Sequence, residues 1–463
     1  MTANLSVIGR RMARNGVLPL LASFLILVSA CGGGSLTTAG LQPTVTVGGA
    51  APNDAALATL QNMRDEGFDA SAHINGASGG LSNNWLYGTN PVETYIDAST
   101  DAPYPQGDPG RTHDPLVDIR YLHALWLYKN LYPSDTQFNG EIARYTPIVE
   151  TEFANPHDTR GFLFDMLTDL AGLSNNAWYT NAAKQLAASY SAAITASPAP
   201  VAFKTSVVAS GHYRVDYALQ IGCALIEAGV RFANPTWVTQ GRASVAFVYA
   251  HAYIASAHVF TSEMAGVMLP NGQINPNETF FSTSDSDQEY NGNEVRMASV
   301  GLDALSLLHV YLLTRDATFL QHATDLLDTF TDQGNSLGMW DAQNLGYFDK
   351  ASFTGTGPSD PGQVEVVVNK KESGRQLVML EAFHVANSVT NNRYAQMQAQ
   401  MLNVALNKAY YAPSHGYLYE MQANWQPLPL RAGNIVGTQN WVTAEAMGIA
   451  LEAIFSTRES VAW

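Results

Sequence analysis

The feature that most constrains this chain is a repeated pair of helical segments. Five apolar segments, 115–132, 160–173, 214–233, 295–313 and 373–389, are each linked by a polar turn to a second, more polar segment. An aromatic residue follows each linking turn: Phe138, Trp178, Trp237, Phe319 and Tyr394. Apolar residues recur at spacings of three and four, which is the pattern of amphipathic helices. Helical hairpins that cannot bury their apolar faces alone must stack on one another.

Three properties favour a closed ring over an open solenoid: the small number of repeats, the long irregular loops, and a first helix that can pair with the last. The sixth apolar segment, 441–455, lacks an outer partner, and the helical segment 53–66 can supply it. The apolar segments are expected as the inner helices, because they carry small residues that allow packing on both faces: Ala298, Ser299, Gly301, Ala304, Ala446 and Gly448. The pattern therefore predicts an all-α (α/α)6 toroid of about twelve helices with minor β-hairpin insertions. The valine-rich run 363–371 is expected to form a small hairpin or a buried edge strand beside the cleft.

The first thirty residues differ from the rest of the chain. Arg10, Arg11 and Arg14 precede the apolar run 17–30, whose length fits a signal peptide and is short for a membrane span. The run ends in Val-Ser-Ala before Cys31, which resembles the lipobox of bacterial lipoproteins. We predict a signal peptide at 1–30, a flexible tether at 31–52 that begins with lipidated Cys31, and the toroid at 53–463. A plain secretory signal is the alternative, and either version exports the protein to a cell membrane, an outer membrane or beyond.

Composition limits the partners of this chain. The formal net charge is −16, and loss of the three arginines with the signal peptide takes it to −19. Basic residues occur in runs no longer than two, so nucleic acid is excluded as a predicted partner. Cys223 is the second of two cysteines and lies on an apolar helical pattern, so we expect a buried thiol and no intrachain disulfide after lipidation of Cys31. A monomer is expected.

Two short motifs connect the repeat to a known group of proteins. The chain has Gly-Tyr-Phe-Asp-Lys at 346–350, between hairpins, and Trp-Val-Thr-Ala-Glu-Ala at 441–446, where the last helix opens. With the repeat, they make residues from 53 onward resemble the six-hairpin glycosidase superfamily, and more weakly its N-acylglucosamine 2-epimerase branch. The resemblance implies a glycan-binding funnel at the end of the ring where the inner helices begin. It does not identify the reaction, because many reactions occur on this toroid. The adjacent Asp-Asp pair of the bacterial α-mannanase branch is absent from the chain.

The segments that enter the six inner helices are all polar. Glycosidic cleavage needs a protonated acid beside the leaving oxygen and a carboxylate opposite it. The candidate acids at these entrances are Asp114, Asp287, Glu289, Glu294, Glu372 and Glu445. Aromatic rings and forked guanidinium groups suit sugar faces and hydroxyls, and the candidate substrate-binding residues are His113, His212, Arg214, Tyr290, Asn291, Arg375 and Trp441.

Simpler explanations compete for the same residues. Acids and hydroxyls at helix N-termini cap unpaired N–H groups, as Asp114 before Pro115, Asp158 and Ser373 would do. A calcium loop starting at Asp287 would need an acid at its twelfth position, where Ala298 stands. We therefore predict no metal and no cofactor. Residues 287–294 are expected at the rim of the cleft, with the helix entered from Glu294.

Three functions remain open at this point. A glycoside hydrolase that cleaves a poly- or oligosaccharide is the leading prediction. An epimerase or a polysaccharide lyase on the same fold is the second, with His113, His157, His212 and His384 as possible bases, or with Lys370, Lys371 and Arg375 as partners of a uronate carboxylate. The third is a surface lipoprotein that only binds glycan through Tyr290, Trp340 and Trp441.

Overall fold

Twelve α-helices alternate between two concentric layers in the part of the chain that this computed structural model describes. The described residues are 55–70, 75–86, 95–97, 102–104, 114–156, 160–195, 207–208, 212–265, 280–281, 293–331, 337–427 and 441–458. The inner helices are α2 (Pro115–Leu131), α4 (Phe162–Ser174), α6 (Val215–Arg231), α8 (Met297–Thr314), α10 (Val378–Val389) and α12 (Ala444–Ser456). The outer helices are α1 (Ala55–Glu66), α3 (Asn139–Glu152), α5 (Ala177–Thr195), α7 (Pro235–His251), α9 (Ala317–Thr329) and α11 (Ala395–Asn407).

The inner helices form a closed ring. Each of them contacts the next in chain order, and α12 contacts α2. Helix α1 packs against α12 and so completes the sixth pair. These contacts confirm the predicted (α/α)6 toroid, including the partner that the first helix supplies to the last.

Burial differs between the two layers as the repeat requires. On α6 every residue from Val215 to Gly229 is buried except Tyr217, whereas α7 buries only the side facing inward. Close packing depends on small side chains: a Cβ added at Gly301 would lie 2.5 Å from a methyl group of Val378 on the neighbouring inner helix. Cys223 is fully buried on α6, as predicted.

Helix α8 is long and apolar enough to cross a membrane by length and composition alone. About two thirds of it is buried inside the toroid, where it contacts α6, α9 and α10. Its apolar character is therefore that of a core helix in the inner ring.

Short strands connect the helices, and the longest in the described residues has four residues. They pair as β1 (Phe68–Asp69) with β2 (Gly80–Leu81), β4 (Tyr95–Asp97) with β5 (Ala102–Tyr104), and β14 (Tyr410–Tyr411) with β15 (Gly416–Tyr417). A four-stranded sheet joins β6 (Val207–Val208), β7 (His212–Arg214), β8 (Glu263–Ala265) and β9 (Phe280–Phe281). The remaining sheets are β10 (Glu294–Arg296) with β11 (Lys350–Phe353) and β12 (Val364–Val366), β13 (Lys370–Glu372) with β16 (Glu420–Gln422), and β3 (Asn84–Leu86) with β17 (Trp441–Thr443).

Strands also precede four of the inner helices, which corrects the predicted start of α8. Glu294 lies in β10, opposite Ser352 of β11, and α8 begins only at Met297. The valine-rich run 363–371 contains the predicted local strand: β12 pairs with β11 as the edge strand of its sheet, whereas β13 belongs to a different sheet. Strand β13 ends at Glu372, and a 3-10 turn, Arg375–Leu377, leads from there into α10.

Candidate functional site

A cleft of about 340 Å³ opens where the inner helices begin. Its charged lining consists of five arginines and four acids: Arg120, Arg160, Arg214, Arg296, Arg375, Asp114, Asp216, Glu372 and Glu445. Phe162, Tyr217 and Tyr419 add aromatic surface. The cleft thus lies at the end of the ring that the sequence analysis expected for the site.

Asp114 combines the two roles that the sequence left open. Its Oδ1 accepts a hydrogen bond from the backbone N–H of Leu116 at 3.0 Å, which caps α2 ahead of Pro115. Its Oδ2 lies 3.0 Å from Nη1 of Arg160, the residue that precedes α4. Asp114 is partly exposed to the cleft, so this carboxylate is at once a helix cap and part of the site.

Arg214 and Asp216 form a buried pair in the lining at the start of α6. Arg214 donates to both carboxylate oxygens of Asp216, at 3.1 and 2.9 Å, and its guanidinium stacks over the ring of Tyr217 at 4.4 Å. Ser299 on α8 donates to the same carboxylate at 2.9 Å. This bidentate geometry fixes the orientation of the Asp216 carboxylate.

Glu372 lies at the floor of the cleft and is 1% exposed. Burial is the largest influence on it and raises the pKa of Glu372 to about 7. Arg375 at 3.3 Å and Arg296 at 3.7 Å oppose that rise but do not cancel it. A carboxyl group with a pKa near neutrality can hold a proton at the pH at which it must donate one.

Glu445 is in the first turn of α12, and its side chain is 42% exposed to the cleft. Arg375 donates to its Oε2 from Nη2 at 2.6 Å and from Nε at 3.1 Å. Burial of the carboxyl group raises the pKa of Glu445. The charge and hydrogen bonds of Arg375 outweigh burial and leave the pKa below its ordinary value. Glu445 is therefore an ionised carboxylate at neutral pH.

One guanidinium separates Glu372 from Glu445. Arg375 contacts Glu372 at 3.3 Å with Nη1 and Glu445 at 2.6 Å with Nη2. Because two nitrogens of a planar guanidinium are only about 2.3 Å apart, the two carboxylate oxygens are at most about 8 Å apart. That limit covers both the roughly 5–5.5 Å separation of retaining glycosidases and the shorter part of the roughly 6.5–9.5 Å range of inverting ones.

Glu294 lies behind the cleft rather than at its rim. It is 2% exposed, it is not among the lining residues, and its Oε1 accepts a hydrogen bond from Lys350 at 2.5 Å. Pairing of β10 with β11 turns the side chain toward Lys350, which the local sequence could not show. Arg296, two residues later, reaches the lining instead.

Several other candidates fall outside the described side chains: His113, His157, Asp158, His212, Asp287, Glu289, Tyr290, Asn291 and Trp441, together with Cys31. Of the alternative candidates, Lys371 pairs with Asp341 and Lys370 with Glu420, and neither lysine lines the cleft. His384 contacts Gln398 on the outer helix α11, and Trp340 packs on Tyr347. Ser373 does not cap a helix, because its hydroxyl donates to the carbonyl of Leu418.

Sequence reasoning missed part of the lining. Asp216, Arg120, Arg296, Tyr217 and Tyr419 line the cleft but are absent from the predicted site residues. Arg120 is in the second turn of α2 and Tyr217 is in the first turn of α6, so their nearness to the helix starts was the signal that could have suggested them. Tyr419 is in a loop and belongs to no recognisable motif. Its hydroxyl oxygen accepts a hydrogen bond from Arg375 at 3.2 Å.

A second polar cluster lies among the inner helices, away from the lining residues. Asp165 on α4, Glu227 on α6 and His309 on α8 place their ligand atoms within 4.8 Å of one another. Burial and then Asp165 raise the pKa of Glu227. Burial lowers the pKa of His309, but Asp165 and Glu227 outweigh it and raise that pKa to about 9. In the described part of the chain this is the group whose spacing suits a metal ion.

The chain matches no family model and no curated protein sequence. Solved structures of carbohydrate-processing enzymes nevertheless have the same fold. A heparin-specific unsaturated glucuronyl hydrolase is similar with a TM-score of 0.56 and 12% identity, over 87% of this chain and 95% of that one. An inactive variant of an α-1,6-mannanase from Salegentibacter sp. HEL1_6, in complex with α-1,6-mannotetrose, has a TM-score of 0.52 and 8% identity, over 87% of this chain and 98% of that one. A D-mannose isomerase has a TM-score of 0.53 and 10% identity, over 88% of this chain and 99% of that one. At these identities the likeness establishes the six-hairpin toroid fold.

Proposed function

We propose that the chain is a glycoside hydrolase that cleaves a poly- or oligosaccharide in this cleft. The observation that carries the proposal is the arrangement around Arg375, which lies between two carboxyl groups whose pKa values are shifted in opposite directions. Pairs of this kind are what acid–base hydrolysis uses, because one group must be protonated while the other is ionised.

In the proposed reaction Glu372 is the general acid and Glu445 is the general base. Glu372 donates its proton to the glycosidic oxygen as the bond to the anomeric carbon breaks. Glu445 removes a proton from a water molecule whose oxygen attacks that carbon. The products are a free hydroxyl on one sugar and a new reducing end on the other, and the proton gained by Glu445 returns to Glu372 through solvent before the next cycle.

The remaining lining suits a sugar. Tyr217 and Tyr419 each have one ring face beside an arginine, and the other face can stack on a sugar. Arg160, whose side chain is 27% exposed, can donate to hydroxyl groups, whereas Asp216 already accepts from Nε and Nη2 of the Arg214 guanidinium. Asp287, Glu289, Tyr290 and Asn291 are proposed to complete the rim. Two of the similar structures are a glucuronyl hydrolase and a mannanase, and the mannanase is in complex with an oligosaccharide. These likenesses support a poly- or oligosaccharide as the substrate.

The test is a product analysis on a panel of polysaccharides, using the wild type, Glu372→Gln and Glu294→Gln. Both glutamates are buried and lie in a short strand before an inner helix: Glu294 begins β10 and Glu372 ends β13. Of the two, Glu372 lines the cleft and Glu294 does not. We expect new reducing ends from the wild type, a turnover lower by about 10²–10⁴-fold for Glu372→Gln, and near-normal turnover for Glu294→Gln.

Other products would replace the proposal. An unsaturated sugar that absorbs in the ultraviolet identifies a lyase, and an isomerised sugar without cleavage identifies an isomerase. Binding without any product identifies a glycan-binding protein. Equal losses in the two variants would show that Glu372 acts only through folding.

We further propose that the protein is exported and anchored to a membrane through lipidated Cys31. The support is the combination of Arg10, Arg11 and Arg14, the apolar run 17–30 and the lipobox-like end. Cys31→Ser should move the protein from the membrane fraction to the soluble exported fraction and abolish incorporation of labelled lipid. Unchanged membrane retention would contradict the anchor.

A further inference from the structure

Three consecutive inner helices bring one polar side chain each to the same buried point. Asp165 comes from α4, Glu227 from α6 and His309 from α8. The ligand atoms lie within 4.8 Å of one another, and Nδ1 of His309 is 3.3 Å from Oδ2 of Asp165. Two ligand atoms bound at about 2.0–2.1 Å to one tetrahedral ion are also separated by roughly 3.3 Å, as this nitrogen and oxygen are.

The second observation concerns Glu227. Its side chain is 1% exposed, and neither carboxylate oxygen accepts a hydrogen bond from an N–H or hydroxyl donor among the described residues; its polar neighbour is the carboxyl group of Asp165. Arg231, one turn farther along α6, approaches only to 3.7 Å. A buried carboxylate that faces a second carboxyl group is costly, and a bound cation is one of the few ways to offset that cost.

We propose that Asp165, Glu227 and His309 bind a divalent transition-metal ion, of the class of zinc, manganese, iron or cobalt. One imidazole nitrogen and two carboxylates form a donor set that suits these ions, whereas calcium and magnesium prefer oxygen ligands throughout. An aspartate and a glutamate also supply the two negative charges that neutralise a divalent ion. The ion would bind to α4, α6 and α8 at once.

The surroundings agree with a cation at this point. Asp169 on α4 and Glu381 on α10 add negative charge near His309, and Arg231 adds positive charge near Glu227. None of the three proposed ligands lines the cleft. The ion therefore has a structural role, as a cross-link between neighbouring inner helices, and the proposal is independent of any reaction in the cleft.

The competing arrangement is a proton shared between Asp165 and Glu227 beside a protonated His309. It also neutralises the cluster, but it requires no ion. Metal analysis distinguishes the two arrangements directly.

The experiment begins with the full chain, unfolded in chelator and refolded with Zn²⁺, Mn²⁺ or Co²⁺, because a buried site is filled during folding. We expect about one ion per chain by mass spectrometry of the washed protein. We also expect a melting temperature about 5 °C above that of protein refolded without metal, since an ion that binds only the folded state stabilises it. The cobalt form should show visible absorption bands of a nitrogen- and oxygen-ligated ion.

Three variants locate the ion. Glu227→Gln, His309→Gln and Asp165→Asn should each lower the affinity by more than the 10–100-fold that is usual for loss of an outer-sphere partner. Glu152→Gln is the matched control, because Glu152 is also a buried glutamate whose oxygens accept no hydrogen bond in the described residues, but no histidine accompanies it. It should keep full metal content.

Wild-type protein that refolds without retaining any of the three ions would overturn the proposal and support the shared proton. Equal metal content in the wild type and in the three variants would place the ion elsewhere and overturn it too. If the two more buried variants fail to fold, the cobalt spectrum of the wild type and Asp165→Asn, the least buried of the three positions, still decide the outcome.

Discussion

The acids of the cleft and the acids of the cluster below it are buried in the same ring of helices but have different neighbours. In the cleft every carboxylate contacts a guanidinium: Asp114 contacts Arg160, Asp216 contacts Arg214, and Glu372 and Glu445 share Arg375. In the lower cluster Asp165 and Glu227 face each other and His309, and the one arginine nearby is 3.7 Å from Glu227.

The difference shows how one architecture can produce two kinds of chemistry. A guanidinium keeps a carboxylate ionised and fixes its orientation, which a reaction with sugar requires. Carboxylates that face one another cannot all stay ionised in the interior, so they take up protons or hold a cation. The inner ring thus has oriented charge at its open end and an excess of acid deeper in the core.

The largest effect should come from comparing an acid that pairs with a guanidinium and an acid of the lower cluster. Glu452 on α12 does not line the cleft, but it pairs with the lining residue Arg120 and accepts from His123 at 2.9 Å, whereas the arginine nearest to Glu227 is 3.7 Å away. Glu452→Gln should lower the free energy of unfolding by about 3–5 kcal/mol, because it leaves a buried arginine without its charge partner. Glu227→Gln should change it by less than about 1 kcal/mol in metal-free protein, because a neutral amide replaces a carboxyl group that burial already disfavours as an anion.

Urea unfolding of the two metal-free variants at pH 7 measures both values. Both positions are buried glutamates of inner helices, so loss of packing volume is similar in the two. Equal destabilisation by the two substitutions would remove the distinction between the two groups of acids.

The next effect concerns pH, because Glu372 is intermediate between the two kinds of acid. It has two arginine neighbours, yet burial leaves its pKa raised to about 7. The stability that its protonated form contributes is complete below the unfolded-state pKa of about 4.5 and disappears as pH rises to about 7. Activity should fall about tenfold per pH unit above that value, since the proton donor is lost.

Hydrolysis rates and urea midpoints between pH 4 and 9 test this prediction. In Glu372→Gln the loss of stability between about pH 4.5 and 7 should be smaller than in the wild type, because an amide does not titrate. A wild-type rate that stays constant up to pH 9 would exclude Glu372 as the proton donor.

The smallest effect is expected at the exposed edge of the cleft. Asp114→Ala removes the cap of α2 and a partly exposed contact with Arg160. We expect a loss of about 1 kcal/mol, mostly from the cap, because exposed ion pairs contribute little. Asp114→Asn keeps a capping oxygen and should recover most of that loss in thermal unfolding. A loss of several kcal/mol that Asn does not restore would mean that this pair behaves like a buried one.

The sequence was informative about the helices because their periodicity is local. Six inner and six outer segments could be assigned from apolar spacing, and the pairing of the first helix with the last followed from the missing partner of 441–455. The entrances were not accessible in this way, since strands such as β10 and β13 pair with residues about fifty positions later in the chain. That pairing decides why Glu372 reaches the cleft and Glu294 does not, although both looked alike in the sequence.

The lower cluster was also beyond the sequence. Asp165, Glu227 and His309 are each separated by more than sixty residues, so no ligand spacing connects them. On its own helix each resembles an isolated polar residue of a core segment. The ring places them together because three successive inner helices pass the same level, which only the tertiary structure reveals.

The contact between β3 and β17 has a consequence for the order of folding during synthesis. Asn84 pairs with Thr443, and the backbone N–H of Ala444 donates to the carbonyl of Asn83 at 2.8 Å. The ring is therefore closed by residues that are far apart in the order of synthesis. Until α12 has been made, α2 lacks the neighbour that covers one of its apolar sides, so that side of α2 stays exposed while the segments between α2 and α12 are translated.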